Sequence, residues 1–489
     1  MNRIRFVIYL SWLCCNLGLE CQGDVFRYRD STGNLVEIEA RLAGSGQGAH
    51  ALELSDGQLR IIPQAAVEQR VPQSGPEPIA IQQMVERLQQ QFPRDRFRVY
   101  KRSPYVVGLI LASPVEQSNE IRIRGFMQKT ARFMKLVEGV FMKFAKSARF
   151  PLAAPRFPLV TLVFESDRDF ERYAQTATGG RGVSARNIAG FYSTLTNFLV
   201  LRLTECHTFE TPLHEAIHQQ VHNRNVLQRL APIPVWFNEG LATGFDGNSQ
   251  RINIGPSKVS PRYAKPAMRA RQLDWKTVIA DDRAFRGNVL AGEAYAHAWS
   301  IHWLLLTRHK VRYMSYVKSL SKLTPLSTVD SQRRIRDFEE TFGESVVELQ
   351  QEFKRSVEIA LRKQRARLDL PAPDGVLVQQ SDMAEVRVQA VSTDRVLRVT
   401  GKLKNISPIR ALSFVVRVET HAGNYADWHV AGLGVNKATL LPRQTFSGGK
   451  AQGHGDATSF RVRVYSADPR SETGRAWSRG HRPSSNPKR

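Results

Sequence analysis

Cysteine is scarce and poorly placed for chemistry. Of four cysteines, Cys14, Cys15 and Cys21 crowd the beginning of the chain and only Cys206 lies beyond them. One remaining thiol forms no internal disulfide and no cysteine-based zinc site. Cys206 reads as a small buried apolar residue rather than a nucleophile. Acidic residues are also short, 45 against 70 Lys and Arg, for a formal net charge of +25. That surplus attracts polyanions, and a cell-envelope polyanion is kept as one partner class. No basic stretch is interleaved with aromatics, so specific nucleic-acid recognition is not expected, and the excess charge reads as scattered over solvated faces. After the first residues no apolar run reaches membrane length, and there is no internal repeat.

What is present divides the 489 residues into segments. Arg3 and Arg5 precede a short apolar stretch opening with Phe6 to Leu13, and Cys21-Gln22-Gly23 resembles a signal-peptidase site. Residues 1–23 therefore read as a signal peptide, and Glu20 argues against lipidation at Cys21. The expected destination is export to the periplasm, the cell surface or the medium, with no transmembrane segment after signal removal. From 24 to 72 alternating runs separated by Ser31-Thr32-Gly33-Asn34 and Ser55-Asp56-Gly57-Gln58 predict a small β unit. It resembles a Src-homology-3-like β-barrel. Residues 73–94 read as a linker.

Between 95 and 370 both periodicities occur. Val106 to Leu111, Leu159 to Phe164 and Phe198 to Leu203 are apolar runs of strand length. Phe126, Phe133, Val137, Val140, Phe141 and Phe144 recur at helical spacing. Gly179-Gly180-Arg181-Gly182 reads as a loop. The fold class expected is α+β. Alternation from Val386 to Val464 predicts a β-sandwich over 371–469, with a turn at His421 to Asn424, and 470–489 reads as a basic disordered tail.

The chemistry concentrates in His214-Glu215-Ala216-Ile217-His218. On a helix, histidines four apart stack on one face and can share a cation, while the glutamate is rotated off that axis and can reach an adjacent water. Thr208 or Thr211 would cap this helix, and Pro212 is tolerated in its first turn. Residues 219–238 then separate His218 from Glu239 in Trp236-Phe237-Asn238-Glu239-Gly240-Leu241-Ala242. Gly240 is expected to let the two helices approach closely. His222 continues the histidine series but lies too far along the axis, so it reads as a surface histidine or one near the ligands. Arg224 stands where a metzincin would need its third histidine.

These two motifs resemble the gluzincins of the peptidase MA clan, and in particular a family of exported bacterial proteins labelled as a domain of unknown function. The resemblance spans residues 95–360. It implies a gluzincin-like metallopeptidase domain in which His214, His218 and Glu239 hold one Zn²⁺ per chain. Peptide or protein substrates would be hydrolysed by a zinc-activated water with Glu215 as general base. Ala294-Tyr295-Ala296-His297-Ala298-Trp299 resembles the tyrosine-bearing helix downstream of the ligands. Tyr295 is therefore a candidate catalytic oxyanion donor, with a plain core tyrosine as the other reading, and His297 and His302 are poorer candidates. Thr243 replaces the acidic residue that orients a zinc histidine in thermolysin-like enzymes, and Asp246 could substitute from the helix end. The strand Asn197 to Leu203 is the expected substrate-pairing edge. The alternative function is a non-catalytic cell-envelope binding protein whose zinc domain is vestigial.

Overall fold

The computed structural model describes residues 24–73, 75–115, 117–178, 188–207, 210–246, 252–285, 291–363, 376–381, 383–393, 396–420, 425–447 and 460–471. The signal peptide, the glycine loop at 179–182, Thr208, the turn at 421–424 and the tail from 472 lie outside them. The described architecture is mixed α and β.

Five strands open the described residues: β1 (Asp24–Arg29), β2 (Leu35–Gly46), β3 (Ala49–Glu53), β4 (Leu59–Pro63) and β5 (Val67–Pro72). They pair antiparallel in the order β4-β3-β2-β1-β5. Both predicted turns form. Asp30 Oδ1 accepts from the backbone N–H groups of Thr32 and Asn34, and Gly33 takes a positive φ of 86°. The barrel itself is not closed. β4 and β5 end the order without pairing to each other, so the sheet curls around Phe26, Ala40, Leu52 and Ile62. The register shift in β2 between Leu42 and Gly44 bends that strand.

The central unit follows with α1 (Ile81–Gln91), β6 (Phe97–Arg102), β7 (Tyr105–Ile110), α2 (Gln117–Ser147), β8 (Leu159–Phe164), α3 (Asp167–Ala177), β9 (Gly190–Tyr192) and β10 (Leu199–Arg202). The sheet order is β6-β7-β8-β10-β9, with β7, β8 and β10 parallel and both outer strands antiparallel. β7, β8 and β10 are buried along their full length, which is why they read as continuous apolar runs rather than alternations. Phe126, Val137, Phe141 and Phe144 of α2 are buried in the main core.

The helical part comprises α4 (Glu210–Asn223), α5 (Val235–Thr243), α6 (Pro261–Arg269), α7 (Trp275–Ala280), α8 (Ala291–Arg308), α9 (Lys310–Leu320), α10 (Ser331–Phe342) and α11 (Val346–Lys363). Among the described residues seven further strands follow: β11 (Val376–Ser381), β12 (Ala384–Thr393), β13 (Val396–Asn405), β14 (Leu412–Thr420), β15 (Tyr425–Leu433), β16 (Ala438–Ser447) and β17 (Phe460–Ala467). They form two antiparallel sheets, β11-β12-β13-β16 and β15-β14-β17. Val386, Val399 and Leu403 from one share an apolar cluster with Phe414, Val416 and Val462 from the other.

Ion pairs tie these parts together. Arg410, between β13 and β14, donates to Glu165 after β8 at 2.8 Å, and both side chains are 7% exposed. Glu53 of β3 pairs with Arg156, before β8, and with Arg229, between α4 and α5, each at 2.9 Å. Among the described residues no helix is long and apolar enough to cross a membrane.

Candidate metal centre

The histidine pentapeptide folds as expected into α4, with Pro212 in its first turn. Thr211 already lies inside the helix, and its hydroxyl donates to Glu205 instead of capping. His214 and His218 lie one turn apart, their rings edge to face with centroids 5.0 Å from each other.

Glu239 reaches them from α5. Pro234, at the start of that helix, offers no side-chain cap. Asp282 supplies one from a distant turn, accepting from Val235 N at 3.0 Å while Arg334 pairs with the same carboxylate at 2.7 Å. Gly240 then lets α5 sit against α8, because a Cβ there would lie 2.5 Å from Ala298 O. The expectation that this glycine serves an approach between the two ligand helices is corrected: its close neighbour is α8.

The result is a convergence of donors. His214 Nε2 lies 3.0 Å and His218 Nε2 3.6 Å from Glu239 oxygens, and the candidate ligand atoms all fall within 4.8 Å of one another. Two imidazoles and one carboxylate at that separation could hold a metal ion and leave a coordination position open. A second group within the same distance, His309, Glu344 and Glu352, is paired with Arg308 and Arg312.

The surroundings fit that donor set. Asp246 Oδ1 lies 3.5 Å from His214 Nδ1, and the Tyr263 hydroxyl donates to the other oxygen of Asp246 at 2.7 Å. Asp246 thus stands beside His214, whereas the Thr243 hydroxyl turns back to the Glu239 carbonyl. Burial opposes the charge on His214, but Asp246 and Glu239 raise its pKa well above the ordinary value. Burial likewise pushes Glu239 upward, and His218 and His214 overcome it, holding that carboxyl well below the usual range.

Glu215 is rotated away from the ligand cluster. Its Oε2 accepts from Tyr192 N at 2.8 Å, a contact to β9 that no local pattern in the sequence signals. Burial raises its pKa, against the pull of His218 and His214. Tyr295 is half-buried on α8, its ring 6.2 Å from that of His214. Burial and the Glu239 and Glu215 carboxylates push its hydroxyl pKa upward, so it stays protonated and can donate.

Other candidates fall elsewhere. His222 is not on the surface. It is 8% exposed, stacks on Tyr192 at 5.5 Å, and burial lowers its pKa to about 3. Arg224 is buried against Glu138. His297 bonds Leu273 O, and His302 lies between Tyr313 and Phe237 O, so neither faces the cluster. Cys206 is buried, as expected, and burial raises its thiol pKa. The anticipated substrate edge is also corrected: β10 pairs on both sides, with β8 and β9, and cannot accept another strand. Among the described residues β9 is the free edge on that side of the sheet.

With this geometry in place, the comparison with known families bears on one segment. Residues 209–327 match a family described as protein of unknown function (DUF1570). That segment contains His214, Glu215, His218, Glu239 and Tyr295. No curated protein matches the chain.

Proposed function

We propose that the protein is an exported zinc metallopeptidase of gluzincin type. The observation that carries this reading is the convergence of His214, His218 and Glu239, with the half-buried Glu215 on the same helix beside them. Zinc, when bound, would supply Lewis acidity at its open position. A two-histidine, one-carboxylate set also suits ferrous iron, and the neighbouring carboxylate favours hydrolysis with zinc. Glu215 takes a proton from the attacking water and passes it to the leaving amine. Tyr192 N holds one oxygen of Glu215, leaving the other for that transfer. Tyr295, protonated and facing the ligands, donates to the developing oxyanion. Strand β9, the edge strand on that side of the sheet, would align an extended peptide through the backbone groups that Glu215 does not take.

Peptide hydrolysis by the purified chain, measured beside Glu215→Gln and Glu239→Ala forms with metal content determined by mass spectrometry, tests this. Glu215→Gln should keep one zinc per chain and lose at least ~10²-fold in kcat, the scale of general-base catalysis. Glu239→Ala should lose the metal as well. Equal hydrolysis by the wild type and Glu215→Gln would overturn the reading. Saturable, salt-sensitive binding to envelope polymers without any hydrolysis would favour a non-catalytic binding protein, the function that the +25 charge suggests.

A further inference from the structure

A cavity of about 610 Å³ opens between the N-terminal sheet and the C-terminal end of α4. Its size falls in the range of small-molecule sites, and junctions between folded units are where such sites recur. Three guanidiniums line it, Arg41, Arg156 and Arg229, against two carboxylates, Glu53 and Glu77. The lining therefore carries one net positive charge.

Glu53 is only 9% exposed at its side chain and is shared among all three arginines. Oε1 meets Arg229, while Oε2 meets Arg156 and Arg41. Arg229 is consumed structurally, since it also donates to Gly57 O at 2.7 Å and Thr194 O at 3.3 Å. Arg156 is not. It spends one N–H on Glu53, rests its guanidinium on the Phe157 ring at 5.3 Å, and keeps its side chain 40% exposed. A guanidinium carries five donors in a planar fork suited to carboxylate or phosphate oxygens.

His222 adds a second, independent element. It lines the same cavity although more than nine-tenths buried. Its Nδ1 lies 3.2 Å from Leu227 O, and because a carbonyl can only accept, Nδ1 carries the proton. Nε2 is then an acceptor, with no hydrogen-bond partner among the described residues. A ligand with a donor beside its anionic group would satisfy both features.

We propose that this cavity is a binding site for a small organic anion. Its carboxylate or phosphate oxygens are held by Arg156, and a neighbouring N–H or O–H group is received by His222. The site lies one helical turn past His218, roughly 6 Å along α4, and it does not depend on the metal or on catalysis.

The test is calorimetric titration of the full chain, freed of metal by chelating resin, with N-acetylglutamate and with inorganic phosphate. Wild type should bind one equivalent saturably, and whichever probe binds more tightly identifies the anion chemistry preferred. Arg156→Gln should weaken binding at least tenfold. Arg362→Gln, on the 77%-exposed Arg362 side chain of α11, should leave it unchanged and so controls for the basic surface. A melting temperature measured for each variant separates loss of the site from loss of the fold. Absence of saturable binding by the wild type overturns the proposal, and so does equal binding by Arg156→Gln in a folded chain, which would mark the arginines as an inter-unit tie only.

Discussion

A methyl group at position 240 probes how α5 is held. Built on Gly240, a Cβ would sit 2.5 Å from Ala298 O, 2.6 Å from Ala298 C and 2.7 Å from His302 Cδ2, whereas ordinary contact begins near 3.4 Å. Two of these atoms are helix backbone and the third belongs to a ring held by Tyr313 and Phe237. Relief therefore requires α5 to retreat from α8 by about 0.9 Å, the difference between those two distances. Overpacking of this kind costs ~3 kcal/mol at the upper end of its usual range, and replacing glycine by alanine within a helix returns ~1 kcal/mol. Gly240→Ala should therefore destabilise the metal-free protein by ~2 kcal/mol. The shift also moves Glu239, the adjacent residue, by several times the ~0.2 Å tolerance of a metal ligand. The additional stability conferred by saturating zinc, which follows RT ln(1 + [L]/Kd), should shrink in the variant. Urea denaturation with and without zinc reads both quantities. A metal-free variant as stable as wild type, or more stable by the helix-propensity gain, would refute the packing argument.

Two further perturbations follow from buried groups. Arg410→Ala would strand Glu165, whose pKa burial already raises, and should cost ~3–5 kcal/mol by thermal denaturation; a change under ~1 kcal/mol would mean that the pair contributes little. Burial holds His302 at a pKa of about 3, against an ordinary value of 6.5. Below pH 6.5 the unfolded chain takes up a proton that the folded chain refuses, so stability is full above 6.5 and falls as pH drops toward 3. Between pH 7 and 5 this loss is ~2 kcal/mol at 1.36 kcal/mol per unit. His302→Gln should remove that part of the slope in urea midpoints, and a slope identical to wild type would contradict it.

The local pattern of the chain was enough for the metal-ligand candidates and for most elements. Helical spacing places His214 and His218 on one face, and the apolar runs at 159–164 and 199–202 became central strands. These are short-range properties, set by backbone periodicity and by which side chains tolerate burial. Tertiary structure decided the rest. Whether the N-terminal strands close depends on pairing between β4 and β5, which no local pattern encodes. Among the described residues the sheet edge beside β10 belongs to β9, a three-residue strand too short to show an alternation. The grip of Tyr192 N on Glu215, the cap that Asp282 lends to α5, and the seat of Gly240 against α8 join residues distant in the chain. So does the ring of arginines around Glu53. Such contacts follow from how packed helices and sheets meet, and sequence spacing carries no record of that meeting.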